Sequence, residues 1–235
     1  MKTHMLAAVF LILVCSLSAA AQRTVVINRP NEKTVTAILS ASEQKLMDKS
    51  VLPKVRKKLA SDACSESVDV SGIIHGAFTR AGTTQTLVFY QFCQTGNGFG
   101  SAGIAIFEGG KVTGNYISAE SGWTADAKTL PDINQNGVDE IALFYSGGMH
   151  QGQGGIGADI MEFSGRMLKG LGWFQAQSFT ETTDVEYKMT AKPGAKPLFF
   201  REKWSSPDDG KPYRKVGNAL PLKLKAVFGS FEELK

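Results

Sequence analysis

Shifted along itself by 55 residues, the chain matches without a gap: residues 77–112 fall on residues 132–167. Gly82 lands on Gly137, Phe89-Tyr90 on Phe144-Tyr145, Gly100 on Gly155 and Gly110 on Gly165. Gln85 with Glu140, Val88 with Leu143 and Lys111 with Arg166 are softer matches of the same kind. A chain with such a period builds one supersecondary unit more than once and stacks the copies, since a single copy cannot bury its apolar face. Each copy reads as turn, strand, glycine-rich turn, strand, turn, strand. The runs "QTLVFYQF", "AGIAIFEGG", "EIALFYSGG" and "ADIMEFSGR" are short, aromatic or β-branched, and closed by glycines, which is strand-and-turn texture. The expectation is a mainly β fold of antiparallel meanders, with units at about 67–121 and 122–180. Propellers need four or more blades, so a partial propeller-like fold or a compact sheet assembly is expected. Residues 181–235 read as a C-terminal β extension with a hairpin at Pro193-Gly194. There "GAKPLFF", Gly194 to Phe200, suggests a degenerate third unit, and "LKLKAVFGSFEELK" is ambiguous.

The N-terminus constrains the compartment. Lys2, the apolar run Met5–Val14 and the small residues Ser18 to Ala21 have the form of an export signal cleaved near Ala21. The run is too short for a comfortable membrane span, so a periplasmic or secreted protein is expected. Removing residues 1–21 takes Cys15 and leaves Cys64 and Cys93. In an oxidising compartment these most simply form one disulfide. It would close a loop of about 30 residues and contribute roughly 3 kcal/mol. Residues 22–66 read as an extended segment followed by helix, with Ser40 and Glu43 at capping-box spacing and Pro53 dividing the helix in two. Lys plus Arg number 26 against 22 Asp plus Glu, a net charge of +4, which is not the footprint of a nucleic-acid binder. The densest basic stretch, "KVRKKLA", fits a solvated helix face or a contact with an anionic surface.

The stretch "DINQNGVDE", residues 132–140, carries the most specific chemistry. Side-chain oxygens of Asp132, Asn134 and Asn136 alternate, Gly137 permits a sharp turn, the Val138 carbonyl follows, and Glu140 closes the set. Oxygen donors at this spacing suit Ca²⁺ rather than zinc. An EF-hand is excluded, because Leu143 stands where its bidentate Glu belongs and a strand follows. The loop resembles that of FG-GAP (VCBS, integrin-α-type) repeats, DxDxDGxxD. That resemblance implies one calcium bound by Asp132, Asn134, Asn136, the Val138 carbonyl and Glu140. Asn in place of Asp at two positions implies a weak site. The first copy, "AFTRAGTTQ", keeps the glycine and lacks the carboxylates, so one site is expected. The rival reading is a polar Asn-Gly hairpin turn with no metal.

Other features carry less. "GQGGIG", Gly152–Gly157, satisfies GxGxxG but precedes a strand, not the helix a dinucleotide site needs. His150, in the glycine-rich Gly147–Gly157 loop, could act as base, ligand or partner contact. His75 is expected to face the sheet. Trp123 and Trp173 each follow a glycine, as core residues or as an aromatic shelf for a glycan or peptide. Asp159 and Glu162 form a carboxylate pair that nothing else marks as catalytic. These features favour an exported, calcium-stabilised, non-catalytic binding module for a protein or glycan. The alternative is a hydrolase or inhibitor acting on cell-envelope material through the Gly147–Gly157 loop and His150.

Overall fold

A computed structural model describes residues 23–29, 38–62, 68–94, 100–121, 123–146, 153–207, 211–227 and 230–234. The protein is mainly β and antiparallel throughout, with one short helical segment near the N-terminus.

Two four-stranded meanders stand at the positions the repeat marks. After the N-terminal strand β1 (Thr24–Asn28), the first comprises β2 (Val68–Gly76), β3 (Gln85–Phe92), β4 (Gly100–Glu108) and β5 (Lys111–Ser121). The second comprises β6 (Trp123–Thr129), β7 (Ile141–Ser146), β8 (Gly154–Ser164) and β9 (Met167–Phe179). Their irregularities recur too. The first hairpin of each unit is bulged, at Val70/Gly72 and at Thr124/Asp126, and so is the last, at Ile106/Phe107 and at Ile160/Met161.

Beyond them lie β10 (Asp184–Lys192), β11 (Leu198–Ser206) and β12 (Arg214–Leu222), which form a third, shorter meander. Its β10–β11 turn holds Pro193-Gly194, as expected. The N-terminal strand β1 (Thr24–Asn28) pairs with β10, from Thr24↔Ala191 to Asn28↔Lys188. The strand order is β12-β11-β10-β9-β8-β7-β6 with β1 added, and separately β13-β5-β4-β3-β2, where β13 is Glu232–Glu233.

Alternation along the central strands explains the layering. In β3, Leu87 and Phe89 enter one core and Val88, Tyr90 and Phe92 another, so the run Leu87–Tyr90 is apolar without a break. In β7, Ile141 and Leu143 face the first sheet, while Ala142 and Phe144 face away from it. The middle core therefore lies between the two sheets. The larger sheet curls so that β1 and β10 close over Phe144, Ile160 and Phe174 through Val26, Ile27 and Met189. This is the half-barrel of the fold.

The outer face of the smaller sheet is covered by the helical segment. It comprises α1 (Ala41–Leu46), a π-helical turn (Met47–Val51) and α2 (Leu52–Asp62). Ser40 and Glu43 form the expected capping box. The two helical pieces expected here are α1 and α2, which the π turn joins without a gap. The Leu52 N–H bonds five residues back to the Met47 carbonyl, and Pro53 then sits in the first turn of α2, where its missing N–H costs little. Met47, Val51 and Val55 are fully buried against Val88, Tyr90 and Phe107. No described helix is long and apolar enough to cross a membrane.

The ambiguous C-terminal stretch is a strap. The backbones of Lys225 and Trp173 bond to each other both ways, at 2.8 and 3.1 Å. Leu224, Phe231 and Leu234 then pack on the first, second and third cores in turn, and β13 pairs with β5.

Candidate functional site: the 132–140 turn

The turn joins β6 to β7 and is wound around its own side-chain oxygens. Asp132 accepts the N–H of Asn136 at 3.0 Å and of Gly137 at 2.8 Å. The Asn134 Oδ1 accepts the Asn136 N–H at 3.1 Å, and the Asn136 Oδ1 accepts the Val138 N–H at 3.0 Å. Two residues take left-handed backbone angles, Gln135 at φ +62° and Gly137 at φ +91°. Only Gly137 does so without steric cost, and an added Cβ there would also stand 3.1 Å from the Ala81 methyl.

Glu140 closes the turn from beneath. It is fully buried and accepts the N–H groups of Ile133 at 2.8 Å and Asn134 at 3.3 Å. Burial pushes its carboxyl up to about 7, against the pull of those two N–H groups, and the nearby Asp132 charge adds to the rise. Desolvation therefore wins here.

A residue that the loop pattern did not contain completes the arrangement. Glu162, on β8 and almost buried, accepts the side-chain amides of Asn134 at 2.6 Å and Asn136 at 2.9 Å on one oxygen. Its other oxygen lies 3.8 Å from the Lys169 ammonium. This explains the asparagines. Each uses its oxygen for a backbone N–H and its nitrogen for Glu162, a double duty aspartate cannot perform.

The first unit has the same skeleton without the acids of the turn itself. Gln85, buried like Glu140, accepts the Thr79 N–H at 2.9 Å and donates to Glu108 at 2.6 Å. Thr79 and Gln85 are the residues that fall on Asn134 and Glu140. Glu108, at the end of β4, plays the part of Glu162, and it also pairs with Arg80. The soft match of Gln85 with Glu140 and the shared glycine, Gly82 on Gly137, are the sequence signals of this skeleton.

The turn is also a junction. The Asp139 carboxylate accepts the Ala77 N–H at 2.7 Å, and the Asp139 N–H donates to the Ala77 carbonyl at 3.0 Å, which ties the turn to the first unit. The Gly194 N–H donates to the Ile133 carbonyl at 2.9 Å, which ties it to the β10–β11 turn. The Ile133 side chain is fully buried in the half-barrel core.

In donor type, Asp132, Asn134, Asn136, the Val138 carbonyl and Glu140 fit a hard cation: all are oxygens, and one carboxylate is shielded from water. Among the described residues no three of His, Cys, Asp and Glu gather as a metal cluster. The turn's remaining donors are amide and carbonyl oxygens.

The other sequence-marked residues lie apart from this turn. His150 and the stretch 147–152 lie outside the described residues, as does Cys64. Of the expected Gly147–Gly157 loop, Gly154–Gly157 belong to β8. Gly157 is required there: a Cβ would stand 2.4 Å from the indole nitrogen of Trp173. Trp173 is half-buried on β9, and the Lys225 ammonium lies 5.2 Å from its ring. The Tyr145 hydroxyl, on β7, donates to Asp159 at 3.2 Å. Trp123 begins β6, and its side chain is not among those described. His75 is exposed on β2, not turned into the sheet, with its Nδ1 3.2 Å from the Thr86 hydroxyl. Asp159 and Glu162 serve Tyr145 and the turn respectively. Comparison with protein-family models, curated proteins and solved structures returned no match for this chain.

Proposed function

We propose that the protein is an exported, non-catalytic binding module whose β-meander units are locked together at the 132–140 turn, and that calcium strengthens this lock. The observation that carries the reading is the junction itself. One turn bonds to the first unit through Asp139, to β8 through Asn134 and Asn136, and to the third meander through Ile133. A group placed there acts on the rigidity of the whole assembly, which is what a structural metal does. Calcium would be held by Asp132, Asn134, Asn136, the Val138 carbonyl and Glu140, and would neutralise the two carboxylates. The likeness to FG-GAP repeats supports the same reading through the DxNxNGxxE pattern and the meander period. The Cys64–Cys93 bridge belongs to the proposal as well, supported by Cys93 not being a free thiol.

The test is thermal unfolding in EGTA and then across a calcium titration, for the wild type and Asp132→Ala. The reading expects calcium to raise the midpoint of the wild type alone. If neither protein responds, the turn is a metal-free polar hairpin held by Glu162, and the calcium part of the proposal falls.

A further inference from the structure

An open groove of about 770 Å³ runs between the helical segment and β5. Its helical wall carries Lys49, Ser50 and Lys54, its strand wall Lys111 and Asn115, and Arg166 stands at its end. Four cations thus face one carboxylate, Glu233, which is already paired with Arg166 at 2.6 Å. Among the described residues, Lys49, Lys54 and Lys111 have no ion-pair partner. Such a field in a recess raises the local concentration of anions.

The wall also holds a directional donor. Asn115 is only 4% exposed, and its Oδ1 accepts the buried Tyr90 hydroxyl at 2.7 Å. That bond orients the amide and leaves the Nδ2 with no acceptor. A buried donor without a partner is destabilising, and an anion oxygen entering the groove beside Asn115 would relieve it. The π-helical turn sets the lysine spacing. Lys49 and Lys54 stand five residues apart across the widened turn, and both line the groove.

We propose that this groove binds a multivalent oxyanion, a phosphate- or sulfate-bearing group, with Lys49, Lys54 and Lys111 supplying charge and Asn115 the fixed hydrogen bond. The source could be a soluble polyanion or an anionic headgroup at a membrane surface, and the experiment separates them.

The full chain is titrated with tripolyphosphate by calorimetry in EGTA, and separately mixed with vesicles containing phosphatidylglycerol or phosphatidylcholine alone. The variants are Lys49→Gln/Lys54→Gln, Asn115→Asp, and the distant exposed pair Lys196→Gln/Lys223→Gln with the same charge change. The proposal expects the groove pair to weaken tripolyphosphate binding by about tenfold or more, with the distant pair within about twofold of wild type. Vesicle binding that is specific to phosphatidylglycerol and lost in the groove pair supports the proposal with a headgroup as the source. If the wild type binds neither probe, or the two lysine pairs lose affinity alike, the groove is not a site. The lysine pairs decide the matter even if Asn115→Asp does not fold, because all four lysines are exposed.

Discussion

At the scale of single residues, Glu140 and Glu162 divide one task. Glu140 is the acid whose burial is costly. Its folded pKa, about 7, lies above the ordinary carboxylate value, so the folded chain binds more protons than the unfolded one between about pH 4.5 and 7. Stability therefore falls as pH rises through that interval, by up to about 3 kcal/mol, and levels off above it. Glu140→Gln, the residue its counterpart Gln85 already is, should flatten this dependence when urea unfolding is compared at pH 5 and pH 8. A wild-type profile that matches the variant's would refute it. Glu162→Ala should cost about 1–3 kcal/mol by leaving two amide groups without their acceptor, measured by the same unfolding at pH 7. Gly137→Ala should cost about 1 kcal/mol or more, since alanine does not tolerate φ +91°.

At the scale of elements, the helical segment shows what could be read in advance. Ser40 and Glu43 announced the cap in plain spacing, and Ser40→Ala should cost about 1 kcal/mol in urea unfolding. Pro53 marked the start of α2, whereas the π turn that joins α2 to α1 is a local rearrangement with no sequence signature of its own. The meander strands were legible from their apolar runs and closing glycines, and the Asn-Gly turn from its polar spacing. Glu162 was not legible as part of the turn. It stands 22 residues past Glu140, and only the return of β8 alongside β7 brings it there. The curl that seats β1 on β10 was hidden for the same reason: strand pairing over long separations is fixed by packing, not by local pattern.

At the scale of the molecule, the three cores share walls and one strap. The sheet-to-sheet core uses one face of β7 and the half-barrel core the other, while the residues after β12 touch all three. Such coupling predicts one cooperative transition. Tryptophan fluorescence, in part from Trp173 on β9, and far-ultraviolet circular dichroism should give coincident urea midpoints. Separated midpoints would show that the third meander, with its exposed Leu198 and Leu220, melts by itself.

The pairing of β1 with β10 also sets an order of events during synthesis. Asn28 meets Lys188, so β1 is made well before the strand that it pairs with, with both meander units in between. Both meander units can close behind it in the meantime, each from neighbouring strands. Val26 and Ile27 stay uncovered until translation has passed residue 192. The seam between β1 and β10 therefore closes only after both units have been made, and Val26 and Ile27 are the core residues that wait for it.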